Sequence, residues 1–264
     1  RGSVDSERNN YQMLEWLAEN RPALPGVPRP ITSGEVGGQV FFAESAIHGQ
    51  ALKDLANAGH RAECVKSGLD YLLKLNPAET LEYVVMEEDI YEEYVVDRLA
   101  LVAPYLPDQA QKSILERFFH KHLRGTRLPL GVRHGDFSAS NILMSGREVC
   151  GVYDWEAGSI RGIPVLDAIC LLNSLHYSGA ESVSLADSVS MLASRRWPHP
   201  EEFDLLMGFY SAMGVDPNCH EGLCYLSWLH GMGLRLNYGM QYDPDSIETY
   251  IHNVARTIRA DDLQ

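Results

Sequence analysis

The chain has 264 residues, 45% hydrophobic and 22% charged, enough for one large domain or two small ones with a real core, and no run of about 18 uncharged apolar residues predicts a membrane helix. Its formal net charge of −14 argues against nucleic-acid and anionic-membrane partners, whose phosphates are held by Lys and Arg; it favours solubility and would suit a cationic substrate. The cysteines, at 64, 150, 170, 219 and 224, form no Cys-x-x-Cys, which points to a reducing, cytoplasmic compartment and not to a disulfide framework.

Arg1-Gly2-Ser3 reads as a vector remnant, and no apolar signal core follows it. Tyr11, Leu14, Trp16, Leu17 and Ala18 then predict a helix over 11–20, ended by Pro22, Pro25, Pro28 and Pro30. Strands are expected over about 29–33 and 39–44, with Gly34, Gly37 and Gly38 supplying the turn of a hairpin. Helices follow over 51–58, 61–75, 88–105 and 108–123, the last with Ile114, Leu115, Phe118, Phe119 and His122 on related faces. The acidic concentration at Glu79, Glu82, Glu87, Glu88, Asp89, Glu92, Glu93 and Asp97 reads as a solvated helix face.

Leu128 to Val132 leads into the segment that bears the chemistry, 134–167. Beyond it, helices are expected over 165–176, 184–194, 200–213, 219–238 and 245–260. Cys219 and Cys224 lie near His220 and His230, but at no common zinc spacing. A small mixed region followed by a large helical one makes the fold class α+β.

The run His134-Gly135-Asp136-Phe137-Ser138-Ala139-Ser140-Asn141-Ile142-Leu143 places an Asp and, five residues on, an Asn in one loop. A strand over 141–144 turns at Ser145-Gly146, and a second over 148–153 returns antiparallel to Asp154. The hairpin brings Asn141 and Asp154 to one open end. An amide oxygen and a carboxylate there are hard ligands, suited to a Mg²⁺ that keeps waters and shares phosphate oxygens. Asp136 can face a hydroxyl approaching that phosphate.

These motifs resemble the aminoglycoside phosphotransferase and choline kinase family: His-Gly-Asp, four residues, Asn-Ile-Leu, then Asp154-Trp155-Glu156. Gly162-Ile163-Pro164-Val165-Leu166-Asp167 is similar to its Gly-x-Pro-x-x-Asp segment, and 42–49 to its adenine hinge; the likeness runs from about Asn10 to Ala260. The resemblance implies a protein-kinase-like fold, with Asp136 as catalytic base and His134 as a scaffold for its loop. It implies Asn141 and Asp154 as Mg²⁺ ligands and Asp167 as a buried brace under the catalytic loop. Leu143 and Tyr153 would form the floor under adenine, and backbone groups of Glu44, Ser45 and Ala46 the hinge.

The family's Gly-rich loop and phosphate-holding strand Lys have no counterpart before Tyr11; the first Lys is Lys53, and Asn10 stands where the partner Glu of that Lys is expected. The expected division is therefore a front-lobe remnant over 1–45, with helix, hairpin and start of the hinge, and a helical catalytic lobe over 46–264. The implied activity is transfer of the γ-phosphoryl group of ATP or GTP, with Mg²⁺, to a hydroxyl of an aminoglycoside, amino alcohol or sugar. The alternative is a pseudo-kinase, a binding or scaffolding module. A metal-dependent hydrolase is the weaker rival, because no third carboxylate or His stands at metal spacing.

Overall fold

The structure is a computed structural model that describes residues 4–178, 183–237 and 243–259. Arg1, Gly2, Ser3, Tyr238 and Ala260 lie outside the described residues.

In chain order the elements are α1 (Val4–Asn20), β1 (Pro30–Val36), β2 (Gln39–Glu44), β3 (Gln50–Ala51), α2 (Leu52–Leu55), α3 (Arg61–Leu75), β4 (Glu82–Val85), α4 (Glu88–Tyr91) and α5 (Asp97–Val102). There follow α6 (Gln109–Leu123), β5 (Arg127–Arg133), β6 (Ile142–Ser145), β7 (Glu148–Val152), β8 (Ser159–Gly162), α7 (Val165–Ser178), α8 (Leu185–Ala193) and α9 (Pro200–Ala212). The last are α10 (His220–Asn237), α11 (Pro244–Ile247) and α12 (Asn253–Ala255).

Several bounds differ from the sequence reading for identifiable reasons. Helix α1 starts seven residues before Tyr11, through a polar stretch without an apolar stripe; Met13, Leu14 and Leu17 are the face it buries. In the hairpin, Val36 pairs with Gln39, so Gly37 and Gly38 alone make the turn, at φ 60° and 79°. Both angles are those of a type I′ turn, which only glycine adopts freely at both positions. Gly34 instead lies within β1 opposite Phe41. The helices expected over 51–58 and 61–75 are joined through a π-turn, Ala56–His60, with the chain kinked at Gly59. Strands β3, β4 and β8 are additions. Each is short and gains its identity only from a distant partner, which periodicity does not reveal. The acidic run is exposed throughout, but Glu79 sits in a 3₁₀ turn and Glu82 on β4, so it is not one helix face.

The chain divides into two compact units, one of residues 1–81 and 131–175, the other of 82–130 and 176–264. In the first, β3, β6 and β7 form an antiparallel sheet in that order. Gly131 and Arg133 pair with Gly162 and Ser159 of β8. Leu14, Leu52, Val65, Leu72, Phe137, Ile142, Val152, Trp155 and Leu171 are among its fully enclosed apolar side chains. Burying each such side chain contributes roughly 1.5–3 kcal/mol.

The second unit is built round α10, whose residues Leu223 to Leu229 are almost all buried against α5, α6 and α8. Glu82–Val85 pairs with Arg127–Leu130 there. Among the described residues no helix is long and apolar enough to cross a membrane.

Candidate active site

All the candidate site residues fall in the first unit. The loop His134–Asn141 leaves β5 and enters β6, and most of its backbone donors have fixed partners. The N–H groups of His134 and Gly135 donate to Asp167 Oδ2 and Oδ1 at 2.6 and 3.0 Å. Asp136 N donates to His134 Nδ1 at 3.3 Å, and Ser138 N to Asp136 O at 2.7 Å. Ala139 N donates to Ser174 Oγ on α7 at 2.9 Å, and Asn141 N to Ser138 O at 3.0 Å. Backbone groups taken from water must find such partners, and here they fix the loop in one shape.

Gly135 has φ 88°, and a β-carbon there would be driven into the carbonyl oxygen of Ala157. The position therefore needs glycine both for its backbone angle and for close approach of the turn after Asp154.

Asp167 is fully buried at the start of α7. Burial pushes its carboxyl up, against Arg133, His134 and the two backbone N–H groups, which all favour the charged form. Arg133 Nε stands 3.6 Å from Asp167 Oδ1, so the carboxylate is paired as well as hydrogen-bonded.

His134 is fully buried between Phe137 and Trp155, its ring 4.5 Å from the Trp155 ring. Its Nε2 lies 3.0 Å from the Tyr153 carbonyl oxygen, which can only accept, so Nε2 carries the proton and Nδ1 accepts from Asp136 N. Burial holds its pKa below the usual histidine value, with the Asp167 carboxylate acting the other way. Both ring nitrogens are committed to backbone groups. The geometry is that of a brace between loop and strand, with no atom facing a ligand.

Asn141 and Asp154 sit at the same open end of the β6–β7 hairpin. Ile142 pairs with Val152, and Tyr153 N donates to Asn141 O at 3.2 Å, so the ladder continues to the last residue before Asp154. Asn141 Nδ2 donates to Asp136 O and Oδ2 at 3.0 and 3.1 Å. That leaves Asn141 Oδ1 as the amide atom available to a cation. Asp154 itself is in the left-handed region, φ 69° and ψ 59°. Non-glycine residues in that region are uncommon and cluster at functional sites.

The Asp154 carboxyl is pushed up to about 6, first by partial burial and then by Glu156, Asp136, Glu7 and Glu44. Asp154 nonetheless stays open to solvent. Carboxylates crowded round an exposed, left-handed Asp make an environment in which a divalent cation replaces mutual repulsion with attraction. Asn141 Oδ1 and the Asp154 carboxylate are hard oxygen donors of the kind that would hold a Mg²⁺, with water and phosphate oxygens completing its shell. Among the described residues no three His, Cys, Asp or Glu side chains form a self-sufficient metal cage.

At the expected hinge, Glu44 ends β2, and Ser45 N donates to Arg29 O at 2.9 Å while Ser45 Oγ accepts from Arg29 N at 2.9 Å. The Ser45 N–H is thus committed within the protein. Ala46 follows in coil. Leu143 pairs with Ala51 and Gly151, and a β-carbon on Gly151 would meet Leu143 and Ile47, so the coil after the hinge closes over Leu143. Tyr153 is exposed, its hydroxyl donating to Ser140 O at 2.6 Å.

The profile of the phosphotransferase enzyme family (APH) matches residues 2–189. The chain belongs to this family. No curated protein sequence matches it. Among solved structures, a thermostable mutant of the aminoglycoside phosphotransferase APH(4)-Ia in apo form is 13% identical, with TM-score 0.58 over 97% of this chain and 85% of that one. ADP-bound APH(2'')-Ib is 12% identical, with TM-score 0.56 over 97% and 84%. APH(3'')-Id from Streptomyces rimosus ATCC10970, in complex with ADP and streptomycin, is 18% identical, with TM-score 0.52 over 86% and 83%. These likenesses establish the protein-kinase-like fold.

Sequence reasoning missed four residues that shape this phosphotransferase-family site. Arg133 supports the loop through Asp167, and Ser174 through its bond from Ala139 N. Asn9 Nδ2 donates to Glu156 O at 2.7 Å and Gly158 O at 3.2 Å. Asn10, marked in the sequence only as a missing Glu, bonds on both sides of its amide. Only Arg133, beside the His-Gly-Asp run, had a local signal.

Proposed function

We propose that this chain carries out Mg²⁺-dependent transfer of the γ-phosphoryl group of ATP or GTP to a hydroxyl of a small molecule. The observation that supports this best is the setting of Asp136. Its Oδ2 is pinned by Asn141, while Oδ1 has only the Cys170 thiol, at 4.0 Å, as a polar partner among the described residues. A carboxylate with one oxygen anchored and one open, on a braced loop beside two hard-oxygen ligands, is placed to accept a proton.

In this reading Asp136 Oδ1 takes the acceptor's hydroxyl proton as the new O–P bond forms and the bond to the β-phosphate oxygen breaks, releasing the nucleoside diphosphate. Asn141 and Asp154 would hold Mg²⁺, which neutralises phosphate charge when bound. Leu143 and Tyr153 form the adenine floor, and backbone groups of Glu44, Ser45 and Ala46 the hinge, the Ser45 N–H excepted because it is held by Arg29 O. His134 and Asp167 keep the loop in place. Residues 1–45 are front-lobe material and 46–264 the catalytic lobe. Net charge −14 and the carboxylates round Asp154 favour a cationic acceptor such as an aminoglycoside or amino alcohol over a neutral sugar. The free cysteines are compatible with a reducing cytoplasm.

The pseudo-kinase reading is favoured by one observation: Asn10, where a Glu pairing with Lys is expected, is bonded to Glu44 and Trp155 instead. A phosphate-transfer screen with ATP and GTP against aminoglycosides, amino alcohols and sugars separates the two. Turnover that disappears in Asp136→Asn supports the kinase. Mg-nucleotide binding without turnover on any acceptor supports the binding module. Absence of nucleotide binding overturns both.

A further inference from the structure

The turn that follows Asp154 is held from one side by α1. Trp155 is fully buried and packs against His134, the two rings 4.5 Å apart and tilted by 54°. Its backbone N–H donates to Asn10 Oδ1 at 2.8 Å. On the same amide, Asn10 Nδ2 donates to Glu44 Oε2 at 3.0 Å, at the last residue of β2. One residue earlier, Asn9 holds the carbonyls of Glu156 and Gly158, and Met13 packs against Gly158. The left-handed Asp154 is thus followed by a turn clamped by consecutive asparagines, and one of these also reaches the start of the hinge.

The geometry points to Asn10 as a positioning residue that ties the loop bearing Asp154 to the end of β2, so that the metal-ligand loop and the nucleotide hinge are set as one piece. Several physical features carry this. An amide is the side chain that donates to a carboxylate through one end and accepts a backbone N–H through the other without adding charge. A carboxylate in its place would stand against Glu44 and add to the repulsion round Asp154. A lysine or arginine would lose the acceptor for Trp155 N. The residue touches neither phosphate nor acceptor in the proposed reaction, so its influence passes through the backbone of Trp155. The inference rests on the reading of Asp154 as a Mg-nucleotide ligand, but the tether itself is testable without any ligand.

The first experiment is amide hydrogen exchange at Trp155. Asn10→Ala removes the acceptor, and the Trp155 N–H should exchange about tenfold faster, the factor expected for loss of one ordinary hydrogen bond. Asn10→Asp keeps the acceptor for Trp155 N but loses the bond to Glu44, so its exchange should lie between the wild-type and Asn10→Ala rates. Glu44→Ala, an exposed change that does not touch Trp155, should also speed that exchange, because it frees the far end of the tether. An unchanged rate in Glu44→Ala overturns the coupling whether or not the protein binds nucleotide. The second experiment is Mg-nucleotide binding by calorimetry. Asn10→Ala and Asn10→Asp should each weaken it by about tenfold, the order of one hydrogen bond lost, with acceptor KM unchanged. Asn10→Asp combined with Glu44→Gln restores a donor–acceptor pair with the roles exchanged and should recover the affinity. A double variant as weak as Asn10→Asp alone overturns the positioning role. Wild-type protein that binds no Mg-nucleotide overturns the reading of the site and leaves the exchange result to decide the tether.

Discussion

His134 donates its Nε2–H to the carbonyl oxygen of Tyr153 at 3.0 Å, and that bond joins the Asp136 loop to the strand that delivers Asp154. Removing the ring opens a space between Phe137 and Trp155 and leaves Asp136 N and Tyr153 O without this partner. His134→Ala should therefore destabilise the fold by roughly 2–6 kcal/mol, from two unsatisfied groups at about 1–3 kcal/mol each. The pH dependence has a definite sign. Burial holds the folded pKa of His134 below its ordinary 6.5. Stability from keeping it neutral is present above pH 6.5 and is lost as pH falls toward the lowered folded value. His122 and His220 shift in the same direction. The measurement is thus a difference: urea midpoints at pH 7.5 and 5.5 should fall less in His134→Gln than in the wild type.

Asp167→Asn keeps the size of the side chain but puts an amide nitrogen where a carboxylate oxygen accepts from His134 N or Gly135 N. It also leaves Arg133, itself buried, without the carboxylate it faces at 3.6 Å. Removing one partner of a buried pair costs about 3–5 kcal/mol. Urea denaturation at pH 7.5 reads this directly. A loss below about 1 kcal/mol, the range of a surface pair, would show that Asp167 is not the keystone of the loop.

Local sequence grammar explains which of these features were readable. The β6–β7 hairpin, with Asn141 and Asp154 at its open end, follows from alternation and a glycine turn, although the turn is Gly146-Arg147 and not Ser145-Gly146, because Ser145 still pairs with Glu148 in the ladder. Asp167 announces itself as a carboxylate inside an apolar run, and such a group needs partners. Ser174, Asn9 and Asn10 do not announce themselves. Their bonds to Ala139, Glu156 and Trp155 span 35, 147 and 145 residues, and polar side chains have no periodicity to betray a distant partner. Strand β8 was invisible for the same reason, since only its pairing with Gly131 and Arg133 makes it a strand. Gly34 misled because a glycine in a strand and a glycine in a turn look alike until the register is known.

Asp136→Asn and Asp154→Asn should separate two jobs at neighbouring positions. Asp136 Oδ1 is the open oxygen, so its loss should lower kcat by about 10²–10⁴-fold, the range for a missing acid–base group. Mg-nucleotide affinity should stay near wild type, because Asn141 keeps its bond to the Asp136 backbone oxygen at 3.0 Å. Asp154→Asn should instead weaken Mg-nucleotide binding, since an amide replaces the charged ligand. Calorimetry beside steady-state kinetics checks both. Turnover at the wild-type rate in Asp136→Asn would remove it from the proposed role of base.

The last prediction uses the charge crowding round Asp154. Its carboxyl is pushed up to about 6 from 3.8, by partial burial first and then by Glu156, Asp136, Glu7 and Glu44. A raised folded pKa means the protein prefers this group protonated. Its contribution to stability is fully present below pH 3.8 and is lost as pH rises through about 6. At pH 7.5 without divalent cations, Asp154→Asn should therefore have a higher Tm than the wild type, and the gap should close as pH falls below 6 toward 4. Asp154 is open to solvent, so part of the repulsion is screened. Raising salt to 1 M, where the Debye length is about 3 Å, should shrink the gap further. Mg²⁺ with nucleotide should act on the opposite partner. A ligand at about 100 times its Kd adds roughly 2.7 kcal/mol to the state that binds it, so Tm should rise in the wild type and scarcely move in Asp154→Asn. Thermal melts at two pH values, with and without Mg-nucleotide, give all four comparisons. Equal Tm for both proteins at pH 7.5 without cation would show that the neighbouring carboxylates do not burden Asp154, and would withdraw the electrostatic argument for a metal there.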